Sequence, residues 1–400
     1  MTTENIKVEK HLWEKVDTSQ LVKDKITRPS LTYWQDAWRR LKQNKLSMVG
    51  LILVILLAAL AIFGPMLSNF AYSDQDLKMA GLPSRLEYYD VAGTRVYLHK
   101  EYRLYELSDK GEVVQSYDAS KNDMMNRQRI YDINGKEVVV DYSFAAKAKK
   151  SGDPNAKKFE IRADGEVLVA QGTSFNRTYW FGTDALGRDL FVRTLFGARI
   201  SLTVALVATF VQFFIGVLYG AISGYMGGRV DNIMMRVVDI IATVPLLLYV
   251  ILLMVVLGAG FTTIMIAIGT VYWVRMARLV RGQVLSIKEQ EYVLAARTLG
   301  ATTWRIMVRH LIPNAMGPII VSLAMSIPSA IFTESFLSFI GLGVSAPAAS
   351  WGTLASDALG GLRTYAYQLL WPSLFISVTV LAFNFLADGL RDALDPRLRK

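Results

Sequence analysis

Long apolar runs constrain this chain more than any other feature. Leu46 to Leu67 passes through "LSMVGLILVILLAALAIFGPML" without one charged residue. A helix needs about 20 apolar residues to cross a bilayer core of roughly 30 Å. Lipid offers no hydrogen-bond partners, so a crossing backbone must pair its own polar groups, as a helix does. Six stretches meet that demand, at 47–68, 200–221, 238–258, 262–280, 315–338 and 369–388. The expected fold is therefore an all-α polytopic membrane protein with six transmembrane helices. The first 45 residues are polar and contain no short apolar core of the signal-peptide kind, so the first span is expected to stay as an anchor.

Basic residues orient the spans. Arg39, Arg40, Lys42 and Lys45 precede the first. Arg275, Arg278, Arg281, Lys288, Arg297, Arg305 and Arg309 gather at the end of the fourth and in the loop after it. Arg391, Arg397, Arg399 and Lys400 follow the sixth, whereas the loops near 259–261 and 339–368 hold only Arg363. The positive-inside rule then places both termini in the cytoplasm. It also accounts for the net charge of +10 without nucleic acid, for which no basic-aromatic reading motif is present.

This topology divides the chain. Residues 1–46 form a cytoplasmic tail, in which Leu31, Trp34, Trp38 and Leu41 make one face of an interfacial amphipathic helix touching membrane lipid. Span 47–68 leads to an extracytoplasmic region at 69–199, then to a core at 200–388 that contains the loop 281–314, then to a tail at 389–400. The outer region is hydrophilic. It carries Asp109-Lys110-Gly111, Asn134-Gly135 and Asp164-Gly165 between β-prone arms, which are hairpin signals. A small β-rich insertion is expected at about 82–176, with the Lys/Ala/Gly-rich stretch 145–158 as a loop or short helix.

Catalysis has no foothold. The histidines, His11, His99 and His310, stand in three separate regions and suggest no metal site. There is no phosphate-cradling G-x-x-x-x-G-K-[ST] segment and no nucleophile elbow. Cysteine is absent, so no disulfide or thiolate site exists. No catalytic residue and no cofactor is expected in this chain, and uphill transport would take its energy from a partner or an ion gradient. A self-powered transporter usually keeps carboxylates at mid-membrane. Here Asp239 and Asp388 lie at inner span ends and Glu334 in the outer part of the fifth span. Glu334 and Ser338, one turn apart, are candidates for a translocation path; an ordinary buried pair explains them equally well.

The segment "LAARTLGATTWRIMVRHLIPN", Leu294 to Asn314, is polar and carries three arginines between two spans. Its helix formers, Gly300 and Pro313 predict helix, bend, helix, stop. Ala295 and Ala296 give a small-residue face that another surface can approach closely.

This segment resembles the cytoplasmic EAA motif of ABC importer permeases: E-A-A, three residues, Gly, nine residues, then I-x-L-P. Ala295, Ala296, Gly300 and Pro313 match at that spacing. Leu294 stands where the motif has Glu, with Glu291 three residues earlier, and His310 and Ile312 stand where it has Ile and Leu. "WQDAWRRLKQNKLSMVGL", "FGTDALGRDLFVRTLFGARISL", "ESFLSFIGLGV", "SWGTL" and "LADGLRDALDPRL" are similar to the oligopeptide/dipeptide permease subfamily. The resemblance covers 31–68 and 178–400.

It implies a type I ABC importer-like fold in a bacterial cell membrane and a C-type permease subunit importing di- or oligopeptides. The implied partners are a homologous second permease, two ATPase subunits that bind ATP and Mg, an extracytoplasmic solute-binding protein, and peptide. The EAA segment becomes the coupling helix on the ATPase, with Glu291 or Arg297 as its polar contact. In such permeases the loop after the first span is usually much shorter, so the resemblance leaves the β insertion unexplained. It is expected to contact the binding protein, cap the outer mouth, or be decorative. Import of nickel or another small solute by the same architecture is the near alternative, and a membrane-anchored receptor or scaffold acting through the β domain the distant one.

Overall fold

The computed structural model describes residues 32–145 and 158–395. Leu31, most of the Lys/Ala/Gly-rich stretch, Arg397, Arg399 and Lys400 lie outside them.

Helix α1 (Tyr33–Gln43) starts where the Gln35 side chain accepts the Thr32 amide at 3.0 Å. Its apolar face is split. Ala37 and Leu41 are buried, and the Tyr33 hydroxyl donates to the Leu394 carbonyl, while Trp34 and Trp38 point outward. Asn44 accepts the Ser47 amide and caps α2 (Lys45–Phe63), which packs along the last helix.

The helical core follows the β insertion. Asp189 caps α3 (Leu190–Val211), which runs through a π-turn at Gln212–Gly216 into α4 (Val217–Met226). Gly216, Gly220 and Gly224 recur every fourth residue and line one face of this helix. A Cβ on any of them would come within 2.8 Å of α7 (Phe261–Ile287), so the absence of side chains lets the two helices touch backbone to backbone.

The expected third span is not one straight helix. It comprises α5 (Gly228–Thr243) and α6 (Leu246–Leu257), bent by 84°. Pro245 explains the break: it has no N–H to continue the ladder, and it pushes Val244 into extended backbone at ψ 120°. Among the described residues five helices are long and apolar enough to cross a membrane, or six if this bent pair is one span.

Two further expectations are corrected. Arg281 is not a loop residue; α7 continues to Ile287 and holds Arg275, Arg278 and Arg281 inside the helix. Pro313 does not stop the helix. The chain runs from α8 (Glu291–Thr298) through α9 (Thr303–Ile306) and a π-turn at Met307–Leu311 into α10 (Ile312–Leu337). A proline ring clashes with the carbonyl four residues back, here that of Arg309, inside the widened π-turn. The Asn314 side chain donates to the His310 carbonyl at 2.6 Å and gives it a partner. A third π-turn, Ser338–Leu342, ends this segment, and α11 (Trp351–Leu359) and α12 (Tyr367–Leu394) complete the bundle.

The insertion is a sandwich of two five-stranded antiparallel sheets. Its strands are β1 (Arg85–Val91), β2 (Thr94–Leu98), β3 (Leu104–Leu107), β4 (Val113–Tyr117), β5 (Lys121–Asp123), β6 (Gln128–Ile133), β7 (Lys136–Asp141), β8 (Glu160–Ala163), β9 (Glu166–Val167) and β10 (Gly172–Phe175). One sheet has the order β10-β1-β2-β3-β4 and the other β5-β6-β7-β8-β9. Tyr89, Val96 and Leu104 of the first meet Tyr131, Val138 and Ile161 of the second in a shared core. The three expected hairpins are present. A fourth turns at Ala92-Gly93, both with positive φ, as a two-residue hairpin loop requires.

The other face of the first sheet, with Leu86, Tyr97 and Tyr105, packs on Leu82 and Tyr179 of the connecting segments. His99 stacks on Tyr365 at 6.1 Å, its Nε2 lies 3.1 Å from the Gly81 carbonyl, and Lys100 reaches the Thr364 carbonyl. Burial holds the His99 imidazole below its usual pKa. Tyr367 and Gln368 of α12 both donate to the Thr183 carbonyl, at 2.9 and 3.0 Å. The sandwich is thus seated on one end of the bundle, and α8 lies at the other.

Candidate functional site

The polar segment after α7 is a short helix held by one buried residue and closed by a defined cap. Val293 is fully buried among Val280, Val284, Ile306 and Leu311, which ties α8 to α7 and to the start of α10. At its C-terminus the Gly300 amide donates to the Arg297 carbonyl and the Ala301 amide to the Ala296 carbonyl, each at 3.0 Å. These two bonds define a Schellman cap, with its left-handed residue at Gly300, φ +80°. A Cβ there would meet nothing within 4 Å, so the glycine serves the backbone angle and not a close approach. Thr302 then caps α9 by accepting the Arg305 amide.

The rest of this segment faces outward. Glu291, Leu294, Ala295 and Arg297 are exposed and Ala296 is half-buried. Leu299 is 88% exposed, and Trp304 and Val308 extend the same apolar surface. Arg297 lies over the Tyr225 ring at 5.6 Å, which fixes its stem while leaving its charge accessible. Pro313 is exposed, two turns beyond the cap. The structure therefore gathers Glu291, Leu294, Ala295, Ala296, Arg297 and Gly300 on one projecting element, with Pro313 at its root.

Two ion pairs brace the helices beneath it. Arg281 grips Asp231 through Nε at 2.5 Å and a terminal nitrogen at 2.6 Å, and Ser223 donates to the same carboxylate. Arg278 pairs with Asp239 at 2.8 Å. Lys288 donates to the Gly224 carbonyl. Sequence reasoning missed these pairs because the arginines read as positive-inside charge. A continuous helix through 287 places Arg278 and Arg281 one turn apart, both turned toward α5.

At the sandwich end the structure brings the other two candidates into direct contact. Glu334 is fully buried and accepts hydroxyl hydrogens from Ser201 of α3 and from Ser338, both at 2.7 Å. Ser338 also lines a cavity of about 500 Å³, together with Asp184, Arg188, Arg193, Asp357 and Gln368. Arg188 and Arg193 both donate to Asp184, at 2.7 and 3.0 Å. Beside this network, burial raises Asp189 to about pH 6, against amides of Phe191 and Val192 and the Ser68 hydroxyl that pull it down. Among the described residues no group of three His, Asp or Glu is placed to hold a metal ion.

Two family models match the sequence. Residues 216–400 match the binding-protein-dependent transport system inner membrane component, and residues 32–83 match the N-terminal transmembrane domain of oligopeptide transport permease C. The oligopeptide transport system permease protein OppC of Bacillus subtilis (strain 168) is 40% identical over 98% of this chain and 99% of its own length. The dipeptide transport system permease protein DppC of the same organism is 41% identical over 94% and 90%. Coverage this complete includes the β-sandwich, so the insertion is shared with these relatives. Among solved structures, the MetNI methionine ABC transporter in inward-facing form aligns at 18% identity with a TM-score of 0.43, over 52% of this chain and 96% of that one.

Proposed function

This chain belongs to the oligopeptide/dipeptide permease family of ABC transporters, a transport subunit of the inner membrane and not an enzyme, and from that premise we propose that it forms half of the pore of an ATP-driven peptide importer. The observation that carries the coupling half of this reading is the projecting α8. It is short, rigidly capped and anchored through Val293, yet it presents Leu294 and Ala295 to solvent, followed by Leu299 at its cap and Trp304 on α9. An apolar ridge of this size on a polar segment fits a groove in a partner. The partners are two ATPase subunits, which hold ATP and Mg, on the α8 side, a second permease beside the bundle, and a solute-binding protein at the sandwich.

Leu294 supplies apolar contact where the motif has Glu. Glu291 and Arg297 flank it and supply the polar contacts, and the turns from Gly300 to Pro313 transmit movement of α8 into α10. The first and last described helices meet where Tyr33 donates to the Leu394 carbonyl, and we place that side, with α8, in the cytoplasm, which sets the sandwich outside. Ser338 then sits on the outer part of the path, and Glu334 holds it there by joining α10 to α3. The names of the relatives support peptide as cargo over nickel.

Affinity purification from native membrane tests the assembly. The wild-type chain retains ATPase subunits, and Leu294→Asp or Ala295→Trp releases them while the second permease stays. Retention of the ATPases by both variants would sink the docking role of α8.

A further inference from the structure

Two grooves on the bundle meet at three residues: Gln212, Arg275 and Ser326 border both. One, of about 480 Å³, is lined by Tyr272, Arg278, Ser329 and Thr333 in addition. The other, of about 500 Å³, extends past Ser322 to Arg391 and Asp395. Ser322, Ser326, Ser329 and Thr333 recur at spacings of four, three and four, so α10 turns a polar stripe to the grooves.

The stripe alone would mean little, but two other features meet it. Gln212, only 2% exposed and at the first position of the α3 π-turn, has a side-chain oxygen with no partner among the described residues. Arg275 lies near the middle of α7, exposed, and among the described residues no hydrogen bond or ion pair engages it, although its neighbours Arg278 and Arg281 are both paired. An arginine inside a membrane span is costly and is normally paired or faces a polar path.

The hydroxyls are committed as donors. Ser326 donates to the Leu323 carbonyl and Ser329 to the Met325 carbonyl, while the Thr333 and Tyr272 hydroxyls share a bond of 2.8 Å. Their free lone pairs accept. The grooves therefore offer a line of acceptors and, where they meet, the guanidinium of Arg275, with no partner among the described residues; Arg391, the other such arginine, lines only the second groove.

We infer that the joined grooves are the peptide lane of this subunit, in which Arg275 takes the C-terminal carboxylate while Gln212, Ser326 and Ser329 accept backbone N–H groups. The inference rests on the importer reading above. Backbone donors and a terminal carboxylate are common to all short peptides, so such a lane passes many sequences. Its contacts are individually weak, which lets cargo leave.

The test uses the whole complex in proteoliposomes with ATP and binding protein. Uptake of trialanine is compared with uptake of trialanine amide, each at a concentration that loads the binding protein equally. The wild type moves the free acid about tenfold faster than the amide, the worth of one charge-assisted contact. Arg275→Gln brings the two rates together and Arg275→Lys keeps most of the difference, both compared at equal subunit content. A ratio in Arg275→Gln equal to that of the wild type overturns the inference, as does equal loss of both substrates. A wild type that prefers an amidated peptide carrying a Glu side chain to trialanine amide by the same factor reassigns Arg275 to side-chain carboxylates and overturns the terminal assignment. A wild-type complex that moves neither peptide overturns the importer reading itself.

Discussion

The Ala301 amide donates to the Ala296 carbonyl at 3.0 Å, across a glycine held at φ +80°. That bond reverses the chain between α8 and α9 and sets the angle at which the ridge of Leu294 and Ala295 leaves the bundle. An L-residue with a Cβ costs about 1–2 kcal/mol in this conformation, least for Asn and most for a β-branched side chain. No neighbouring atom lies close enough to clash. Gly300→Asn should therefore keep ATPase co-purification and most uptake, and Gly300→Val should lose both. Equal behaviour of the two variants would show that the left-handed backbone angle does not decide at this position.

Asp231 and Arg281 hold α5 to α7 through two short bonds, with Ser223 as a third partner. Asp231 is buried, so removing Arg281 strands a carboxylate away from water. Arg281→Ala should destabilise the protein by about 2 kcal/mol, the scale of a hydrogen bond to a charged group. The double substitution Asp231→Leu with Arg281→Leu should recover much of that loss. Thermal unfolding in detergent measures both. A double variant no more stable than the single one would refute this account of the pair.

Asp189 gives a pH dependence with a definite sign. Burial raises its folded pKa from 3.8 to about 6. A carboxyl with a raised folded pKa binds more protons when folded, so stability falls as pH rises between those two values. Above about pH 6 the ionised group continues to cost stability. Asn caps a helix as well as Asp does and carries no charge. Asp189→Asn should raise the melting temperature by several degrees at pH 7.5, with the gain shrinking as pH falls toward 4. A gain that is the same at pH 7.5 and pH 4.5 would contradict the assigned cause.

Periodicity and charge revealed the membrane class, the hairpins at Asn134-Gly135 and Asp164-Gly165, and the bend at Gly300, because each is written in a few consecutive residues. The sequence reading went wrong where a long-range partner or a local device overrode the rule. Pro313 normally ends a helix, but the π-turn at Met307–Leu311 and the Asn314 side chain absorb it. Pro245 did break one, and there the apolar run 238–258 concealed it. Arg275 counted as positive-inside charge because helix length past 280 cannot be judged from apolar content alone. The Ser322–Thr333 stripe was legible at helical spacing, and was overlooked because hydroxyls inside apolar spans are common. Gln212 was not legible, since its interest lies in a missing partner.

The β-sandwich can be removed at a defined seam. Arg85 pairs with Phe175 across the β1–β10 ladder, and just below it the Asn176 amide donates to the Ser84 carbonyl at 2.9 Å. Antiparallel partners lie about 5 Å apart, so an Asn-Gly linker can join Ser84 to Asn176 in place of residues 85–175. The far end of the bundle does not touch the sandwich, and the deletion should leave ATPase co-purification intact. Leu82 and Tyr179 lose the sheet face that covers them, so the melting temperature should fall. If the sandwich receives the binding protein, stimulation of ATPase activity by loaded binding protein should drop at least about tenfold, the effect of losing about 1.4 kcal/mol of contact. Stimulation and peptide uptake at wild-type levels would mean that the insertion takes no part in delivery.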